Sequence, residues 1–246
     1  MTVARWRGPV LMVTALLVLW QALYWIVGDV ALRSPADTVR YAAGLFQRPA
    51  FWPHVMESAR AFVVAIAIAV SLGMAIGFML GFGRLAGQVF EPMLVALYSV
   101  PKVTLYPILL LTFGLGISAK IAFGALHGFI PIALFTINAV RNVRPILIKT
   151  GRVLNYGTGE LVWRILIPAA LPEIFSGIRI GVSLTLIGTL LGEMFASQRG
   201  LGYMLMSAIG LHNVDVIMSI TFILIVFAAL VSSVLLAIDR RLHHRA

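Results

Sequence analysis

Lys102 stands between Pro101 and Pro107 within an otherwise apolar stretch. An ammonium group there is costly unless it reaches an interface or faces a polar path. The two prolines would interrupt helical hydrogen bonding, and irregular backbone at membrane depth is tolerated where it lines a cavity. A pore-facing ammonium suits a small anionic solute; snorkelling to the nearer interface is the competing reading. His127 and Asn138 lie eleven residues apart, about 17 Å along one helix, so they cannot share a metal ion. His127 belongs either to the core or to the path, and Asn138 to a bond between helices. Glu193 closes and Arg179 begins a further apolar stretch, both near enough to an interface to snorkel. Other reactive chemistry is sparse. There is no Cys, so thiolate catalysis, disulfides and Cys-ligated metals are excluded. No His-Glu-x-x-His occurs, and two of the five His fall in the C-terminal tail. The turn Gly81-Phe82-Gly83-Arg84-Leu85-Ala86-Gly87 has no flanking strand and no Walker lysine, and reads as a tight connection between helices. The expectation is a protein that is not an enzyme and binds no cofactor or metal itself.

The elements that position these residues are membrane helices. Of 246 residues, 61% are apolar and only 11% charged, about half the charge of a soluble domain. Crossing a bilayer takes roughly 20 apolar residues. The stretches 10–27, 61–80 and 216–238 are free of charge, whereas 92–113 contains Lys102, 121–140 contains His127 and Asn138, and 174–192 contains Arg179. Six spans is the simplest count, in an all-α membrane protein of one domain over 1–246. Nineteen Lys plus Arg against nine Asp plus Glu give a net +10. The basic residues sit mostly between the apolar runs, which marks an anionic membrane face rather than nucleic acid. With both termini cytoplasmic, inner segments hold Arg5, Arg7, Arg84, Arg141, Arg144, Lys149, Arg152, Arg164, Arg240, Arg241 and Arg245. Outer segments hold mainly Arg33, Arg40, Arg48, Lys120 and Arg199, as the positive-inside rule asks.

Between the first two spans, Ser34-Pro35-Ala36-Asp37 resembles a helix start, and 38–46 forms either a short interfacial helix or, the simpler expectation, a loop with an aromatic anchor at Phe51 and Trp52. Ser71, Gly73 and Gly77 give the second span a small-residue stripe for close helix packing. Met204 and Met206, near Tyr203 and His212, either line an outer loop or fill gaps.

The longest polar inner segment, 141–172, carries Arg141, Arg144, Lys149, Arg152, Glu160 and Arg164 around Asn155-Tyr156-Gly157-Thr158-Gly159, then Ile165-Leu166-Ile167-Pro168-Ala169-Ala170-Leu171-Pro172. The pattern predicts two short helices on the membrane surface, ended by Pro168 and Pro172. This order of spans and loop resembles the inner-membrane permease subunit of bacterial ABC importers of the nitrate, sulfonate, taurine and bicarbonate type. The matching residues are Trp163 to Pro172, Val100-Pro101-Lys102-Val103-Thr104-Leu105-Tyr106-Pro107, Phe113-Gly114-Leu115-Gly116, Gly192-Glu193-Met194 and Arg199-Gly200-Leu201-Gly202-Tyr203. The family's Glu-Ala-Ala signature falls on Lys149-Thr150-Gly151, with Lys149 at the acidic position, and its glycine falls on Asn155.

The resemblance implies a six-transmembrane-helix importer permease bundle with a cytoplasmic coupling helix in the bacterial inner membrane. It implies two cytosolic ABC ATPase subunits that hold ATP and Mg, a second permease copy, usually self, and a periplasmic or lipid-anchored substrate-binding protein. Arg152, Asn155, Tyr156, Gly157, Glu160, Arg164 and Pro168 become candidates for ATPase coupling, against solvation of an ordinary loop. Pro101, Lys102, Pro107 and His127 become candidates for the translocation path. A secondary carrier or channel without an ATPase is the alternative, although no internal repeat or central coupling carboxylate stands out.

Overall fold

A computed structural model describes residues 3–195 and 197–243. Among them the regular elements are helical: α1 (Val3–Val27), α2 (Pro35–Phe46), α3 (Trp52–Phe82), α4 (Arg84–Ser99), α5 (Tyr106–Phe113), α6 (Ile117–Arg141), α7 (Pro145–Val153), α8 (Thr158–Leu161), α9 (Ile167–Phe195), α10 (Leu201–Gly210) and α11 (Val214–His243). Five helices are long and apolar enough to cross a membrane. A sixth crossing arises if α4 and the segment to Phe113, bent by 90° at 100–101, count as one broken span. Arg245 and the side chains of Arg5, Arg7 and Arg84, counted above for orientation, lie outside the described residues.

The centre of the bundle is α6, flanked by α3 on one side and α9 on the other. Its apolar window is 56% buried, against 0% for α1 and 6% for α11, so α6 forms the core and the outer two lie exposed at its periphery. Small residues allow this contact. Gly73, Gly77 and Gly81 recur every four residues on α3 and meet Ile132, Thr136 and Val140, which recur every four on α6. A Cβ on Gly73 would stand 2.7 Å from that of Ile132, and one on Gly81 2.9 Å from that of Val140. The expected stripe therefore exists, but Ser71 is exposed and Gly81 takes its place. Gly124 and Gly128 of α6 similarly admit Thr189 and Thr185 of α9.

Three local expectations are corrected. Residues 35–46 form a helix rather than a loop: Pro35 opens it, the Ser34 hydroxyl accepts the Asp37 N–H at 3.1 Å, and Thr38, Ala42 and Leu45 are buried. The third span is no single helix over 92–113. Helix α4 starts at Arg84, contains Pro92, and stops where Val100 and Pro101 turn extended; Lys102–Leu105 makes one 3-10 turn before α5. Pro107 sits in the first turn of α5, where no intrahelical donor is lost. Pro168 and Pro172 end nothing. The helix runs through both, and its irregularity is a π-helical turn at Val162–Leu166, where the Ile167 N–H reaches back five residues to the Val162 carbonyl. Pro168, lacking an N–H, follows at the point where the ladder changes pitch.

Candidate functional site

Two polar regions occupy opposite ends of the bundle, and a broken helix lies between them. At the end that carries α7 and α8, the segment after α6 is a packed knuckle. Val143, Leu166, Ala170 and Ile174 are buried with Ala139 and Val140, and Ile148 rests against them. Gly151 is buried and lets the Ile165 side chain approach to within 2.6 Å of where a Cβ would stand, which presses α7 onto the π-helical turn. Helix α7 ends in a left-handed cap. Asn155, φ +55°, donates its N–H to Arg152 and Tyr156 donates to Gly151, both at 3.0 Å. A left-handed residue is needed at this position, which accounts physically for Asn155 standing where the resembled signature has glycine.

The outer face of this knuckle carries the predicted coupling residues. Glu160 and Arg164 pair at 3.4 Å one helical turn apart, and the Arg164 guanidinium lies 5.3 Å above the half-buried Tyr156 ring. Arg152 and Asn155 are exposed on the preceding turn, and Gly157 starts α8. Pro168 is exposed but belongs to α9. The exposed ion pair adds little stability in water. Sequence reasoning passed over the apolar members of this face: Val153 is 81% exposed, Trp163 72% and Leu154 56%. Large exposed apolar side chains in an otherwise charged segment are unusual on a surface left to water. The available signal was Trp163 and Val153-Leu154 standing among the charges of a polar loop.

Arg141 anchors the knuckle. Its guanidinium pairs with Glu91, donates to the Leu80 carbonyl at 3.3 Å, and fills the place that a Gly87 side chain would need. The glycine-rich segment thus makes room for the Arg141 cation beside Gly87. Close by, Asp239 of α11 accepts from Ser176 at 3.0 Å and lies 3.7 Å from Arg179, so Arg179 pairs across helices rather than snorkelling.

Along the broken span, Lys102 donates to the Tyr98 carbonyl at 2.9 Å, with its ammonium 4.6 Å from the Tyr98 ring. It satisfies an orphan carbonyl at the end of α4. The half-buried His127 ring adjoins the same region through Phe123, whose ring centroid lies 4.5 Å from that of His127 and 4.8 Å from that of Tyr106. His127 bonds through Nδ1 to the Phe123 carbonyl at 2.9 Å and sits over Gly188. Two of the four predicted path residues thus share one region; Pro101 marks the break and Pro107 lies exposed on α5. Tyr106 ties the region to α9, with its hydroxyl donating to the Gly192 carbonyl at 2.5 Å and its ring 4.8 Å from Phe123.

At the opposite end, Glu193 is fully buried, which overturns its reading as a snorkelling carboxylate. Ser58 Oγ lies 2.8 Å from both carboxylate oxygens, and the Gly202 N–H donates to Oε2 at 2.9 Å. Ser58 in turn accepts the Leu201 N–H at 2.8 Å, and His54 Nδ1 accepts that of Gly200 at 3.2 Å. Gly200 has φ +123°, and a Cβ there would overlap the Glu193 carboxylate. Lys120, only 2% exposed, pairs with Glu57 at 3.0 Å and donates to the Arg199 carbonyl at 2.8 Å. Polar groups from α3, α6 and α9 therefore hold the turn that leads into α10. Ser58, Glu57 and His54 were missed; their signal was three polar residues at the head of an apolar helix.

Among the described residues, five helices able to cross a bilayer and a broken sixth define a multi-pass membrane protein. Residues 67–246 match the family of the binding-protein-dependent transport system inner membrane component, and the chain belongs to that family. The chain is 27% identical to the taurine transport system permease protein TauC of Escherichia coli (strain K12), over 97% of this chain and 92% of that one. It is 35% identical to the riboflavin transport system permease protein RibX of Chloroflexus aurantiacus, over 82% and 76% respectively. A chain of the inward-facing MetNI methionine ABC transporter superposes with a TM-score of 0.68, covering 79% of this chain and 98% of that one, at 19% identity; this likeness concerns the fold. The chain is thus an ABC importer permease of the inner membrane, with the helical architecture its sequence implies.

Proposed function

We propose that this permease carries a small anionic solute, delivered by an extracytoplasmic binding protein and driven by two cytosolic ATPase subunits that hold ATP and Mg. One permease domain spans the chain, pairs with a second copy of itself and keeps both termini in the cytoplasm. The segment 141–172 is its coupling element. The observation that carries the reading is the segment from α7 through α8 to the π-helical turn, where Val153, Leu154 and Trp163 are exposed in the same stretch as Arg152 and the Glu160–Arg164 pair. A surface of this kind suits a groove on another protein, with the apolar side chains supplying contact area and the charges register. Since Gly151, Leu166 and the α6–α9 core back the face, movement of a docked ATPase passes to α6 and α9 as a body. ATP binding would draw the paired ATPases together and favour one orientation of the spans; hydrolysis would allow the reset.

Lys102 supports an anionic solute, since it brings a positive charge to the break between α4 and α5, and His127 adds a polar ring nearby through Phe123 and Tyr106. The relatives named for taurine and aliphatic sulfonates move solutes with an anionic sulfonate, whereas the one named for riboflavin moves an uncharged one. The chain has no Cys, so a single Val153→Cys or Trp163→Cys offers a unique attachment point. Cross-linking from either position to a co-expressed ATPase subunit is the expected result. An assembled complex that gives no cross-link from either position would remove the coupling assignment.

A further inference from the structure

We infer that Arg141 is the strut through which movement of the coupling knuckle reaches α4 and the break at 100–101, a role that rests on the coupling function proposed above. Arg141 closes α6, and Val140 and Val143 on either side of it are buried in the core of the knuckle. Its backbone therefore moves with that packed body. Its guanidinium reaches out of the body to two other elements. Nη1 donates to the Glu91 carboxylate of α4, and Nη2 donates to the Leu80 carbonyl of α3 at 3.3 Å. Leu80 lies in the last turn of α3, where carbonyls lack intrahelical donors, so the planar fork meets two acceptors without competing with a helix.

Helix α4 has little other purchase on its own subunit. Gly87 is its one buried residue among those described, and the Arg141 head group lies where a Gly87 Cβ would stand. From 88 to 99 no residue is buried. The helical ladder is weakest beside the ion pair, since Pro92 offers the Gln88 carbonyl no N–H. Arg141 thus grips α4 at the turn that would otherwise bend. From Glu91 the helix continues for about 14 Å to Val100. There the chain turns by 90°, and Lys102 caps the Tyr98 carbonyl.

A partly exposed ion pair contributes little net stability, but it fixes the spacing of the two helices that carry it. A helix held at one end acts as an arm, and a tilt at Gly87 is enlarged at Val100. The contacts of α6 with α3 and α9 are close-packed through glycines and leave no such freedom, which singles out α4 as the element that changes position when the knuckle moves. Arg141 is a positioning residue in this account: it touches no solute and sets where Lys102 stands.

The test is electron paramagnetic resonance of the full chain assembled with its ATPase subunits and carrying a nitroxide on a single Val100→Cys. The chain has no Cys of its own, and the complex of the unsubstituted chain serves as the blank. Spectra are taken without nucleotide and after trapping with ATP, Mg and vanadate, alongside intact mass and ATP hydrolysis. The Val100→Cys complex should change its spectrum on trapping. Adding Glu91→Lys or Arg141→Glu, which sets like charges against each other, should abolish that change while the ATPases stay bound and hydrolyse ATP. Combining the two restores opposite charges and should return part of the change, the Leu80 bond being lost. An undiminished change in either variant, or no return when they are combined, would overturn the strut. Loss of ATPase binding in both variants would overturn it as well and make the pair a determinant of folding. A Val100→Cys complex that hydrolyses ATP with no spectral change would overturn the strut and leave the coupling face standing. Absence of ATPases from that complex would remove the coupling function itself, and the strut with it.

Discussion

Glu193→Ala is the substitution whose consequences follow most directly from the contacts. It removes the acceptor of the Gly202 N–H and of the Ser58 hydroxyl at a position with no exposed surface. A stranded backbone donor costs about 1–3 kcal/mol, and the void left by the side chain adds about 1–2 kcal/mol. Together the loss is about 3 kcal/mol, concentrated in the turn from Ser197 into α10. Spread over a two-state transition of a chain this long, it corresponds to a Tm lower by about 6–12 °C. If the turn opens locally instead, tryptic cleavage after Arg199 should rise about 100-fold, because cleavage then tracks the open population. The assay is limited trypsinolysis of the detergent-purified chain read by intact mass, alongside a thermal melt. Glu193→Gln keeps the volume and one acceptor oxygen and should lose roughly half as much. In a double-mutant cycle, Glu193→Ala and Ser58→Ala should couple by about 1–2 kcal/mol. A melt within about 2 °C of the parent, less than about 1 kcal/mol, with cleavage after Arg199 unchanged, would refute the reasoning.

Three shorter predictions concern the other regions. Reversing charge at Arg152 and Arg164 together should weaken ATPase association, and Val153→Asp with Trp163→Asp should weaken it further, by at least about tenfold in a pull-down titration; unchanged assembly and uptake by both would dismiss the face. Lys102→Met should abolish anion uptake while ATPase stimulation persists, and full uptake would leave Lys102 as a cap of the Tyr98 carbonyl alone. Asn155→Gly should be neutral to stability, whereas Asn155→Val should cost about 1–2 kcal/mol in a denaturation series because φ is +55°; equal effects of the two would mean that the left-handed cap contributes nothing.

The spans were legible because each needs only a long apolar run, and the small-residue stripe because close packing leaves a four-residue period. Proline was less legible. Pro101 and Pro168 each stand beside an irregular turn, yet Pro101 accompanies a 90° bend while Pro168 is absorbed in a continuous helix. The difference lies in neighbours: the π-helical turn is packed against Gly151, whereas 100–101 is exposed. Helix α2 was written in Ser34 and Pro35, but its short length made a loop the simpler expectation; burial of Thr38, Ala42 and Leu45 against α11 and its neighbours decides the matter. Glu193 was misjudged because position along a span gives depth and says nothing about partners. Its partners Ser58 and Gly202 come from 135 residues before and nine after, and no local pattern joins them. The coupling face was legible in its charges and missed in Val153, Leu154 and Trp163, since exposed apolar side chains look like core until the fold shows them facing outward.

The most direct test of the central claim is the intact mass of the complex, purified in mild detergent from cells that express this chain together with its native neighbouring genes. The account predicts two copies of the permease with two ATPase subunits. A lone chain or a self-oligomer without ATPases, reproduced in a lipid environment that preserves other importers of this kind, would contradict it and favour a carrier or channel that works alone.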